Sequence, residues 1–322
     1  MMSFVISAII CTHNRVEYLT KAIQSLVDQN IPKSKYEIIV VDNCSTDSTR
    51  EVVEKFSSKS NIRYIYEPTL GANKARNTGW RNARGKYIAY LDDDAIASPV
   101  WLDRILQVFE TVIPRPGCIG GRVEPIWESC RPAWLSDWLL HGLAIIDWSE
   151  TPRVLNNISM EWLVSANIAF PVEVLERFGG FHLGLGRVGK HLLSGDEILL
   201  EKQILKAGYS CFYHPEIAVK HHIPKSRLRK DWFIRRYYWQ GISDAVMQLL
   251  EDAPTKTERV HLIISKALSL LLSPRKLMNL ILPSDNPRQF TEKCFTLITV
   301  GHISGLLGAA QVKNGLENIR DQ

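Results

Sequence analysis

The chain has 322 residues, 45% hydrophobic and 23% charged, with 39 Lys and Arg against 34 Asp and Glu. That is ordinary globular composition, enough for one large domain and a smaller one, and it excludes disordered, collagen-like and low-complexity classes. The cysteines at 11, 44, 118, 130, 211 and 294 form no C-x-x-C pair, so they argue against a zinc finger or disulfide scaffold and fit a reducing compartment.

The N-terminus runs straight into the strand-like Phe4–Cys11, and no signal peptide is expected. Val5–Cys11 is apolar except for Ser7 and reads as a buried strand. Leu19, Ile23, Leu26 and Val27 follow at helical spacing until Asn30-Ile31-Pro32 stops the helix. Glu37–Val41 is a second strand, Asp42–Ser45 a turn, and Thr46-Asp47-Ser48 can cap a helix over 49–57. Ile62–Tyr66 is a third strand and 71–84 a helix closed by Gly85. Tyr87–Leu91 is a fourth strand that runs into Asp92-Asp93-Asp94, and Pro99 opens the next helix. Continuous apolar strands separated by helices predict a parallel sheet covered on both faces.

The middle, 112–190, is less regular. Its tryptophans, Trp127, Trp134, Trp138, Trp148 and Trp162, suit either a core or a floor for stacking sugars. Gly184–Gly189 reads as a flexible loop, and Ser194-Gly195-Asp196-Glu197 opens a helix through Ala207 that Gly208 ends. Short strands over 211–213 and 217–219 lead to His221-His222. From 228 the chain is mostly helical, which predicts a catalytic domain over 1–227 and a helical region over 228–322. Cys294–Val312 lacks Asp, Glu, Lys and Arg and contains Gly301-x-x-x-Gly305; it reads as a packed helix, an interfacial helix or a span, in that order. Residues 224–322 hold 15 Lys and Arg against 9 Asp and Glu, and the remainder 24 against 25. The densest basic cluster, Lys225 to Arg236, suits a phosphate-rich ligand, an anionic membrane surface or a solvated helix face. No recognition motif points to nucleic acid.

In open α/β sheets, sites form beyond the carboxyl ends of the strands. Thr12–Arg15, Asp42-Asn43 and Asp92–Asp94 all follow strand ends and are expected on one sheet edge. No G-x-G-x-x-G and no P-loop is present. Three adjacent carboxylates repel one another and are tolerated where a divalent cation or ligand hydroxyls lie between them. Asp92 and Asp94 make a D-x-D pair of hard oxygen ligands suited to Mn2+ or Mg2+.

Five segments carry a resemblance. They are VISAIICTHNR (5–15), EIIVVDNCSTDST (37–49), GANKARNTGWRNARGKYIAYLDDDA (71–95), SANIAFPVEVLERFGGF (165–181) and SGDEILLEKQILKAGY (194–209). In this order they resemble family 2 glycosyltransferases of the GT-A fold. The resemblance implies an α/β, Rossmann-like, mostly parallel sheet flanked by helices, with a helical C-terminal extension. It implies a nucleotide-sugar donor, with Thr12, Asn14 and Arg15 lining the nucleotide pocket and Asp42 on the base. Arg76 would lie near the base or phosphates, and Asp92 or Asp93 on ribose or sugar hydroxyls. Asp94 would hold a Mn2+ or Mg2+ ion together with Asp92. His221 or His222 would complete the metal shell, His222 fitting the spacing slightly better. Plainer roles for Asp42 and Arg76 are turn capping and a surface ion pair. The family's base lies in an acidic pair opening a helix, here Asp196-Glu197; the register favours Glu197 and the reversed acid order leaves Asp196 open.

The resemblance also implies inversion, by a single base opposite the leaving group. The Q-x-x-R-W motif of processive synthases is missing; the comparable stretch is Arg235–Gly241. One sugar is therefore expected to move from a nucleotide-diphosphate sugar, UDP first, to a glycan or lipid-linked acceptor in surface-glycan assembly. The expected location is the cytoplasm, with peripheral contact at the inner face of the cell membrane through the C-terminal region. Two alternatives are a sugar-phosphate nucleotidyltransferase and a non-catalytic glycan-binding protein on a transferase fold. The first wants a glycine-rich loop that 5–15 lacks, and the second is disfavoured by intact acids at 92, 94, 196 and 197.

Overall fold

The computed structural model describes residues 4–320 apart from positions 59, 190 and 285, and side chains as far as 308. The chain divides into two compact units. One comprises Met1–Ile126, Ala144–His182 and Asp196–His222; the other comprises Trp127–Leu143, Leu183–Gly195 and Ile223–Gln322. The second unit thus takes two stretches from before residue 227.

The first unit opens with β1 (Ile6–Thr12), α1 (Val16–Val27), β2 (Tyr36–Asp42), α2 (Thr49–Phe56), β3 (Ile62–Tyr66), α3 (Ala72–Arg81) and β4 (Tyr87–Leu91). These strands run parallel in the order β3-β2-β1-β4. Alternate side chains leave a strand on opposite faces. Ile6, Ala8 and Ile10 accordingly join Leu19, Ile23 and Leu26 of α1 in one layer, and Ile9 joins Ile39, Val41, Ile88 and Tyr90 in the other. The sheet is therefore apolar on both faces, as the unbroken apolar strands predict.

Beyond β4 the sheet turns antiparallel. The remaining elements are β5 (Ala95–Ala97), α4 (Trp101–Thr111), β6 (Cys118–Trp127), β7 (Arg153–Val154), β8 (Asn167–Pro171), α5 (Val172–Phe178), α6 (Asp196–Lys206) and β9 (Cys211–Ile223). β8 pairs antiparallel with β4 and with β6, and β5 with β9. The two short strands expected over 211–213 and 217–219 are one strand, because its ends have different partners: Tyr213 lies opposite Arg153 of β7, and His221 opposite Ala95 of β5.

The second unit is dominated by α7 (Lys230–Asp252), α8 (Lys256–Leu271), α9 (Pro274–Ile281) and α10 (Pro287–Arg320). The Gly301-x-x-x-Gly305 stretch serves packing. A Cβ at Gly301 would lie 1.9 Å from the Tyr238 carbonyl oxygen, and one at Gly241 would lie 2.0 Å from that of Ile298, so α7 and α10 touch backbone to backbone. Cys294 and Leu306 are fully buried. Positions 309–312 of the apolar stretch lie outside the described side chains. Among the described residues no helix is long and apolar enough to cross a membrane. Gly301→Leu is expected to cost about 3 kcal/mol or more in urea unfolding, because the clash is with backbone. Gly308→Ala, with nothing within 4 Å of its Cβ, is expected to be neutral or slightly stabilising.

Candidate active site

The parallel register places Thr12 beside Asp42 and Ile9 beside Tyr90, which brings the ends of β1, β2 and β4 to one edge. Thr12 Oγ1 donates to Asp93 Oδ2 at 2.8 Å. Arg15 reaches across to the same turn, Nη1 at 2.8 Å from Asp93 Oδ1 and Nη2 at 2.8 Å from Asp94 Oδ2. Burial pushes the Asp93 carboxyl up to about 7 even though Arg15 opposes the shift. Burial works against the Arg15 charge, yet Asp93 and Asp94 hold it above the ordinary arginine value.

The turn after β4 is tied down from both sides. Ala95 N donates to the Asp92 carbonyl, and His222 N donates to that of Asp94 at 2.8 Å. His221 and His222 are successive residues of β9, so their rings leave on opposite faces. His221 Nε2 lies 3.0 Å from Asp94 Oδ1, whereas the His222 ring packs 5.3 Å from that of Tyr18. Among the described residues, the imidazole that gathers with Asp92 and Asp94 is that of His221, while the spacing alone favours His222. One donor atom each from Asp92, Asp94 and His221 lies within 4.8 Å of the others. Two carboxylate oxygens and one imidazole nitrogen, with Asp92 partly exposed, form a donor set that suits a divalent cation keeping open positions for phosphate oxygens.

Arg76 connects this edge to the acidic pair. It projects from α3 and is nearly buried. Its Nη1 donates to Asn73 Oδ1 at 2.8 Å and to Asp196 Oδ2 at 3.1 Å. Its Nη2 donates to Ser165 Oγ at 2.9 Å and lies 3.7 Å from Asp92 Oδ1. Burial opposes the Arg76 charge, and Asp196, Asp92 and Glu197 outweigh it, so its pKa lies above the usual value. Asp196 is buried under this guanidinium, whereas Glu197 is half-buried. Glu197 Oε1 accepts from Ser165 N at 3.4 Å. Burial first, and then the charge of Asp196, raise Glu197 to about 8, against the pull of Arg76. A carboxylate of that basicity can accept a proton near neutral pH.

Two other expected residues have local partners. Asp42 is buried; its Oδ1 accepts from Ser45 N at 2.9 Å and its Oδ2 from Tyr64 Oη at 2.7 Å. Asn14 has a left-handed backbone, φ 52°, and its Oδ1 accepts from Thr46 N at 2.7 Å. Both pin the turn after β2 against the end of β1. Ser165 and Tyr64 escape a reading of the sequence. The only signal for Ser165 is that it opens one of the five resembling segments.

The family described as Glycosyl transferase family 2 matches residues 7–160, which carry the three aspartates, Arg15 and Arg76. Glycosyltransferase AglE of Haloferax volcanii is 30% identical over 233 residues, 71% of this chain and 70% of that protein. Glucosyl-dolichyl phosphate glucuronosyltransferase of the same organism is 25% identical over 283 residues, 86% of this chain and 87% of that protein. The crystal structure of S. aureus TarS 1-349 in complex with UDP-GlcNAc shares the fold, with a TM-score of 0.58 and 17% identity over 96% of this chain and 92% of that one. A relative 30% identical over 70% of its own length, together with the family 2 match over 7–160, makes this chain a glycosyltransferase and a member of family 2.

Proposed function

We propose that the protein moves one sugar from a nucleotide-diphosphate sugar, a UDP-sugar first, to an acceptor hydroxyl with inversion, in surface-polysaccharide or glycolipid assembly. The observation that carries this reading is the bridge made by one arginine: Arg76 touches both Asp92, at the cation edge, and Asp196, beside the raised carboxyl of Glu197. A donor-binding group and a proton acceptor brought to one site are what displacement at an anomeric carbon requires.

Asp92, Asp94 and His221 are the residues that would hold Mn2+ or Mg2+. When bound, such an ion neutralises charge developing on a departing diphosphate. Thr12 and Arg15 hold Asp93 and Asp94 in place, and Asp42 and Asn14 shape the turn against which the nucleotide would lie. Glu197 takes the acceptor proton on Oε1 or Oε2. Asp196, held by Arg76, keeps the start of α6 in register and raises the basicity of its neighbour.

The TarS complex with UDP-GlcNAc supports the choice of UDP, and the glucosyl-dolichyl phosphate relative supports a lipid-linked acceptor. That acceptor would give the helical region of 228–322 a reason to meet the membrane peripherally, at its inner face. A panel of UDP-, GDP- and dTDP-sugars, scored for nucleotide release with and without Mn2+, tests the reading. Metal-stimulated release from a UDP-sugar is expected, and no release from any donor under either condition would refute it.

A further inference from the structure

We propose that α8 and α9 form a docking surface for an anionic lipid bilayer. This deepens the peripheral contact proposed above by naming the surface, and it rests on that reading only for its purpose. Both helices are specified locally. Thr255 and Glu258 close a capping box at the start of α8, and Ser273 followed by Pro274 starts α9. Yet neither helix contributes a buried residue. Val260, Ile264, Leu268 and Leu271 are 51%, 49%, 48% and 63% exposed. At the helical period they fall within an arc of roughly 80° on one side of α8. Met278 and Ile281 extend the apolar surface onto α9 at 55% and 80% exposure. A stripe of this kind normally faces a core. The close packing in this unit lies instead between α7 and α10.

Charge selects the occupant. Residues 256–282 contain five Lys and Arg against a single acid, Glu258, which is engaged in the cap. Further positive groups border the end of α9: Lys293 Nζ donates to the Leu282 carbonyl, and Lys230 Nζ to that of Ser284. Arg275 is paired with Glu292 of α10, and the remaining cations still outnumber the acids beside the stripe; an apolar stripe flanked by such a positive excess fits the phosphate and acyl boundary of an anionic leaflet. A second copy of the chain would bring the same positive charge against itself, so the surface is a poor self-interface.

The test is sedimentation of the full chain with vesicles of phosphatidylcholine alone or phosphatidylcholine mixed about three to one with phosphatidylglycerol. Binding to the anionic vesicles is expected, with weakening by salt. The exposed triple substitution Ile264→Ser/Leu268→Ser/Ile281→Ser should weaken it by about tenfold or more. Lys256→Gln, at an exposed position, should weaken it through charge alone. None of the substituted residues belongs to the candidate catalytic site, so nucleotide release without vesicles should be unchanged in both; absent release in every form would count against the catalytic reading and leave the docking result standing. The proposal is overturned if wild type ignores anionic vesicles or if the triple variant binds as well as wild type. It is equally overturned if sedimentation velocity shows a dimer that the triple substitution converts to monomer, which would assign the surface to a second copy.

Discussion

Glu197→Gln is expected to lower transfer by about 10²- to 10⁴-fold while leaving nucleotide-sugar affinity nearly unchanged, because the substitution removes a proton acceptor and keeps the shape. The pH dependence supplies the sharper check. With Glu197 raised to about 8 by burial and by Asp196, the proposed base is mostly protonated at neutral pH. The value of kcat/KM should therefore rise about tenfold per pH unit until about pH 8 and level off above it. Asp196→Asn removes a neighbouring negative charge and releases Arg76 toward Glu197, so the limb should move to lower pH in that variant. A dead Asp196→Asn beside an active Glu197→Gln would transfer the role of base to Asp196. Stability gives an independent sign. A carboxyl with a raised folded-state pKa binds its proton more tightly when folded, so its contribution to stability is lost as pH rises from the unfolded value toward about 8. Glu197→Gln should therefore hold or raise Tm above pH 8, which separates lost chemistry from lost folding.

Asp94→Ala should abolish metal-stimulated turnover, a loss of about 10²- to 10⁴-fold, corresponding to several kcal/mol of charge stabilisation. Asp94 is buried between Arg15 and His221. Removing it leaves Arg15 with Asp93 alone and takes one donor from the Asp92–Asp94–His221 set. Calorimetric titration of the protein with Mn2+ should show the lost affinity directly, without reference to activity. His221→Ala should weaken the same titration, whereas His222→Phe, which keeps a ring against Tyr18, should leave it close to wild type. Equal Mn2+ affinity in wild type and Asp94→Ala would place the cation elsewhere. Asp94→Asn serves as the isosteric control for folding, since it preserves volume in a buried position.

Much of the molecule was legible in the chain itself. Apolar strands ending in Thr12, Asp42 and Asp92–Asp94 declare both the parallel half of the sheet and the edge where polar groups gather, because a strand buried on both faces is polar only where it ends or where a buried partner satisfies it, as Ser7 and Glu37 satisfy each other. Gly195-Asp196-Glu197 likewise declares a helix start carrying two acids. The antiparallel half was not legible. Periodicity identifies a strand but carries no information about the direction of its neighbour, so β8 beside β4, and β9 shared between β5 and β7, appear only when the chain is folded.

The chemistry divides along the same line. By itself the sequence determined which residue types could hold a cation and a proton, since acid spacing is local and a D-x-D on a turn has few arrangements. Only the tertiary structure decided which partners those groups have. Arg76 meets Asp196 across 120 positions of chain, and Arg15 meets Asp93 across 78. His221 reaches Asp94 because β9 pairs with β5 in the register that sets it opposite Ala95. For α8 and α9, helical spacing shows that one face is apolar but not whether anything covers it. Covering, pairing and facing are relations between distant segments, and they exist only once the chain has closed on itself.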